Sequence, residues 1–335
     1  MHTLRMTLPS DRLKSLPCLG FFFFISFGCG LENGAHTPED DAQTIVLFAD
    51  CPDRIQGNLL WESSEHHQKV LDSHYIEPVM AVFNHLPKTL QKAMCALDGI
   101  YLVSDASFLA EASRSEIYLH LSVFDHANGH DLNSYMSGLF FSFIEGWGTD
   151  LLGHFPWIDM SLDHGNYNPR LLAVLAHELG HIILHQDLKL LRDNVTLDYG
   201  QAFYDISWAN DDYKGNFTMR EHFCTQSDVG ELSTCHQHSL AKVHTESLIE
   251  SFLASDFVSP YGASNYHEDF AEFVTFAVLT DGFAMKSWIH NPQSDTRFSL
   301  DEGSRSPIYQ EKLELVRIIL EDHNNDLFPH ILSGR

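Results

Sequence analysis

Two histidines one helical turn apart, with a glutamate beside the first, can hold a metal ion and offer a base to a water next to it. Residues His177, Glu178, Leu179, Gly180 and His181 form this H-E-x-x-H pattern inside the stretch LLAVLAHELGHIILH. On a helix, His177 and His181 project from the same face, while Glu178 is displaced sideways. Leu171, Leu172, Leu175, Leu179, Ile182 and Ile183 surround them, which predicts a buried helix. Polar groups left unpartnered there would cost about 1–3 kcal/mol each, and a charged carboxylate more. A bound metal removes that penalty.

A catalytic zinc site needs three protein ligands and a water, so two histidines are incomplete. One candidate for the third is Asp187, six positions after His181. Leu184 stands where a chain-turning glycine would be needed, so the helix continues and carries Asp187 away. The other candidate lies in SPYGASNYHEDFAEFV, where Glu268 and Glu272 are four apart on a predicted helix and share a face. One of these can bind the ion, and the other can accept a hydrogen bond from the far nitrogen of a ligating histidine. His185, one turn beyond His181, reads as a helix-end polar residue. His267 points about 100° away from Glu268 around the helix and reads as a non-ligand.

HELGH together with Tyr-Gly-x-x-Asn-x-x-Glu-x-Phe-Ala-Glu resembles the catalytic domain of the anthrax lethal factor type, a gluzincin-like branch of the zinc metallopeptidases. That resemblance covers about twenty residues in two blocks. It implies a zincin-like fold with His177, His181 and Glu268 as ligands of one zinc ion and Glu178 as general base. Tyr261 then faces the substrate carbonyl as oxyanion donor, and Glu272 supports a ligand from behind. The implied reaction is hydrolysis of a peptide bond in a protein or peptide substrate. Asp269 departs from the pattern, standing where an apolar residue is common and adding negative charge beside the ligand. The long interval between His181 and Glu268 implies an insertion carrying Cys224 and Cys235. Two rival readings remain: a zinc-binding or sensor protein that has lost turnover, and a metal-free protein whose histidines are core residues.

Several elements must position these groups. Asn168 and Pro169 suit the start of a helix over 168–186, broken only by Gly180. Before it, TIVLFAD, GIYLVSD, EIYLHLSVF and GLFFSFIEGW read as strands, and EPVMAVFNHLPKTLQKAMCAL as a helix broken at Pro87. The last of these strands is the one expected to present its edge to an extended substrate. After it, HSLAKVHTESLIESFL, NYHEDFAEFVTFAVL and YQEKLELVRIIL read as helices. The expectation is a single α+β domain over 44–335: a small mixed sheet in 44–167, the active-site helix, and a mainly helical part in 187–335.

Arg5, Arg12 and Lys14 precede the apolar run LPCLGFFFFISFG, which reads as a signal peptide over 1–29. Gly28 and Cys29 resemble the end of a bacterial lipoprotein signal, with Cys29 as a lipidation site and membrane attachment through it. The acidic stretch 30–43 reads as a tether. These features predict an exported protein, of the bacterial cell envelope or secreted. Four further cysteines, Cys51, Cys95, Cys224 and Cys235, allow two disulfides, most simply between neighbours. With 46 acidic against 20 basic residues the net charge is −26, which argues against a nucleic-acid partner.

Overall fold

The computed structural model describes residues 51–61, 68–104, 108–125, 132, 133, 136, 157–161, 167–185, 189–192, 195–209, 212, 213, 253–259, 261–291, 296–300 and 305–321. The expected signal segment, Cys29, the tether, TIVLFAD, GLFFSFIEGW, Asp187, Cys224 and Cys235 lie outside them, as does HSLAKVHTESLIESFL apart from Leu253. The protein is a mixed α+β structure with a small mixed sheet and helices packed against it. Among the described residues no helix is long and apolar enough to cross a membrane.

Helix α1 (Cys51–Asn58) leads into β1 (Leu59–Trp61) and β2 (Gln68–Lys69), followed by α2 (Ser73–His85) and α3 (Lys88–Ala96). The break between α2 and α3 falls at Leu86 and Pro87, which both adopt extended backbone, as expected before and at a proline. Strands β3 (Gly99–Val103), β4 (Ala110–Ser113) and β5 (Glu116–His120) complete a five-stranded sheet in the order β2-β1-β3-β5-β4. β1, β3 and β5 run parallel, and the two outer strands are antiparallel to their neighbours. EIYLHLSVF is therefore strand only through His120, and its last four residues form a 3-10 turn. A disulfide between Cys51 and Cys95 ties α1 to α3 across 44 positions. Closing a loop of that length stabilises the fold by about 4 kcal/mol on the chain-entropy estimate.

The central helix α4 (Pro169–His185) starts as its residues dictate. Asn168 Oδ1 accepts from the backbone N–H groups of Arg170 and Leu171 at 3.0 and 3.1 Å, and its Nδ2 donates to the Val123 carbonyl. From Arg170 to Gly180 every side chain of α4 is buried, so the helix is enclosed rather than laid on a surface.

The part after α4 holds more strand than its sequence pattern indicated. It contains the hairpin β7 (Lys189–Arg192) and β8 (Val195–Asp198), helix α5 (Tyr199–Ser207), and the short pair β9 (Trp208–Ala209) and β10 (Asp212–Tyr213). Strand β6 (Trp157–Ser161), which precedes α4, pairs with β11 (Lys286–Asn291), and β11 pairs with β12 (Thr296–Ser299). Between them lies α6 (Tyr266–Ala277), extended by a π-helical turn through Gly282, and α7 (Pro307–Glu321) closes the described chain. Helix α6 is capped like α4, with Asn265 Oδ1 accepting from His267 and Glu268 at 3.0 and 3.1 Å.

α4 and α6 cross where their side chains are small. A Cβ added to Gly180 would stand 3.0 Å from the Ala271 Cα, so only glycine allows this approach without a shift. Gly180 precedes His181, and Ala271 lies between Glu268 and Glu272. The crossing therefore brings the two chemically active stripes face to face.

Candidate metal centre

His177 and His181 project from α4, and Glu268 from the first turn of α6. One ligand atom from each lies within 4.8 Å of the others, a grouping that could hold a metal ion. His177 Nε2 is 3.2 Å from Glu268 Oε2 and 3.2 Å from His181 Nε2, and His181 Nε2 is 3.5 Å from Glu268 Oε1. Glu268 is fully buried and the His177 side chain is 6 % exposed, while His181 at 12 % is the most open of the three.

On the other side of His177, Glu272 Oε1 lies 3.0 Å from Nδ1, a contact short in distance though bent in angle. Glu272 can only accept, so the neutral ring carries its proton on Nδ1 and turns the Nε2 lone pair towards His181 and Glu268. The His177 lone pair, His181 Nε2 and the Glu268 carboxylate then face one another across 3.2–3.5 Å. Such a cluster is repulsive unless a cation stands among them. For ligand bonds of about 2.0–2.1 Å in tetrahedral geometry, neighbouring donor atoms fall about 3.3 Å apart, close to the three separations seen here. Glu268 Oε1 also has no hydrogen-bond partner despite its burial. The donor set fits a metal ion.

The electrostatics have the same cause. Burial alone would lower the His177 pKa, but the carboxylates of Glu268 and Glu272 lift it well above the ordinary histidine value. Burial would raise Glu268, yet the two histidines hold it below the ordinary carboxylate range. Without a metal, a proton takes the cation's place.

Glu178 is buried beside this cluster at 6 % exposure, and burial raises its pKa. Among the charges acting on it is Glu111 of β4, whose own pKa burial also raises. Tyr261 is buried and stacks on His177 with ring centroids 5.8 Å apart. Burial, with the charge of Glu268 and a hydrogen bond to it, pushes the Tyr261 pKa well above its usual value. Tyr261 sits before a single 3-10 turn (Gly262–Ser264) that ends in the Asn265 cap, so the turn and α6 hold it together with Glu268.

The structure thus brings together His177, Glu178, His181, Tyr261, Glu268 and Glu272. His185 and His267 stand outside the ligand group, with their rings against each other. Asp269 corrects an expectation. One residue past Glu268 it points around α6, away from the ligands, and meets Lys312 Nζ at 2.6 Å and Trp208 Nε1 at 2.8 Å. Its charge is spent on that pair. Lys312 and Trp208 were not singled out by motif. The available signal was Lys312 itself, a lysine on the apolar face of YQEKLELVRIIL.

No protein-family model matches this chain, and neither a curated protein nor a solved structure shows significant similarity to it.

Proposed function

We propose that this protein is an exported, zinc-dependent endopeptidase with a zincin-like fold, hydrolysing peptide bonds in protein or peptide substrates. The observation that carries the reading is the set of three inward donor atoms with Glu272 behind His177, flanked by a buried base and a buried phenol. Two imidazoles and one carboxylate suit zinc among the common divalent ions. The ion, held by His177, His181 and Glu268, would acidify a water and polarise the scissile carbonyl.

The chain's own residues supply the rest. Glu178 receives the proton of the attacking water and passes it to the leaving amine. A raised pKa suits this double duty, because an acid near the working pH both takes and returns a proton. Tyr261 keeps its proton across the physiological range and can donate to the oxygen on which charge develops. Glu272 fixes the tautomer of His177. Burial of α4 and α6 keeps bulk water from the ligands.

The strand expected to receive substrate, GLFFSFIEGW, lies outside the described residues. Among the described ones, β4 is an outer strand of the sheet that packs on α4, and its Glu111 acts on Glu178. We assign the substrate-pairing edge to Ala110–Ser113. An extended peptide there would add a strand by main-chain hydrogen bonds.

Export rests on the basic and then apolar N-terminus and on the Cys51–Cys95 disulfide, which belongs to an oxidising compartment. Replacing Glu178 by Gln tests the reading against a zinc-binding protein without turnover. The variant should keep its metal and lose about 10²–10⁴-fold in kcat on a peptide library. Absence of cleavage by the zinc-loaded wild type would favour the non-catalytic alternative.

A further inference from the structure

The crossing of α4 and α6 brings a second pair of histidines together. His185 lies one turn beyond His181 on the same stripe of α4, and His267 immediately precedes Glu268 on α6. Their ring centroids are 5.2 Å apart with the planes tilted by 33°. The corresponding distance for His177 and His181 is 4.8 Å. Two imidazoles bound to one ion at about 2.1 Å and near the tetrahedral angle have centroids about 5 Å apart.

Among the described residues neither ring is committed elsewhere by an ion pair or a side-chain hydrogen bond, and His267 Nδ1 is buried with no hydrogen-bond partner. The backbone N–H of His267 is held by the Asn265 cap, and its ring rests against Tyr266 at a centroid distance of 3.8 Å. His267 is thus a positioned ring with an unused nitrogen. His185 is exposed at the end of α4, open to water that would complete a coordination sphere.

We propose that His185 and His267 form a second, weaker site for a late first-row divalent ion, Zn²⁺, Ni²⁺ or Cu²⁺, beside the site of His177, His181 and Glu268. Imidazole donors select these ions over Mg²⁺ and Ca²⁺, which prefer oxygen. Two protein ligands against three make the second site the weaker one. The proposal does not depend on peptidase activity.

The test is uptake of Zn²⁺ by the metal-free full chain, followed by calorimetry and by metal analysis after dialysis at fixed free zinc. Wild type should bind two ions in separable steps. His185→Gln and His267→Gln should each abolish the weaker step and leave the tighter one, whereas Glu268→Gln should abolish the tighter step. Both histidine variants alter side chains that are not fully buried, and circular dichroism against wild type checks that they fold. A single step that Glu268→Gln abolishes, or a weaker step that survives both histidine variants, would overturn the proposal. Loss of the tight step alone in the wild type would instead count against the metal centre of the preceding sections.

Discussion

Glu268 and Asp269 are consecutive, both fully buried and both acidic, yet they face different sides of α6 with opposite provisions for their charge. Asp269 Oδ2 receives the Lys312 ammonium and the Trp208 indole N–H, and Lys312 also donates to the Asp256 carbonyl. The rings of Phe257, Phe203 and Phe273 lie 4.5, 5.6 and 5.5 Å from that ammonium. The negative charge has a fixed positive partner that the chain itself encodes. Glu268 faces the Nε2 atoms of two imidazoles, with no lysine or arginine among its contacts within the described residues. One side of the helix carries its own counter-charge, and the other is a grouping that could hold a metal ion. A buried carboxylate is costly in either case, so a cluster of ligating side chains around one is a candidate functional site.

The largest effect should come from breaking the side that carries its own counter-charge. Lys312→Met leaves Asp269 buried without its partner, and unfolding in denaturant should show a loss of about 3–5 kcal/mol. Adding Asp269→Asn should restore most of it, since removing both charges of a buried pair is far less harmful than removing one. If the single variant loses nothing, the pair does not hold α7 to α6.

On the other side, Glu272→Gln should keep the fold while weakening metal affinity about 10–100-fold, measured by competition with a chelator. An unchanged affinity would separate Glu272 from the His177 tautomer.

A smaller effect follows from the raised His177 pKa. The folded metal-free value lies above the unfolded one of about 6.5, so a proton on His177 stabilises the metal-free chain fully below about 6.5. That contribution is lost as pH rises through the folded value. At pH 7 the metal must therefore displace about one proton, and its apparent affinity should fall as the medium is made more acidic. Calorimetry in buffers of different ionisation enthalpy counts the proton. Zero release would contradict the assigned environment of His177.

Much of the metal side was legible in the residues because its information is local. Asn168 caps α4 within three residues, and H-E-x-x-H and the Glu268–Glu272 spacing each fall on one helical face. The Cys51–Cys95 disulfide joins neighbours in the cysteine order. What stayed hidden depends on distant partners. Asp269 read as charge beside the ligands because Lys312 is 43 positions away and Trp208 is 61. The outer strand Ala110–Ser113 has the sequence AEAS, without β-branched or aromatic residues, and becomes a strand only through its register with β5. The pairing of β6 with β11 joins segments on either side of α4 and has no local mark. Gly180 was visible only as a weak point in a helix, and its purpose emerges from the Ala271 backbone opposite.

The most direct test is the metal content of the purified, folded chain set beside those of its Glu268→Gln and Asp269→Asn variants. About one tightly bound zinc per chain is expected in the wild type, lost in Glu268→Gln and retained in Asp269→Asn. A folded wild type that takes up no zinc tightly, or a Glu268→Gln variant that holds it as firmly as wild type, would contradict the account.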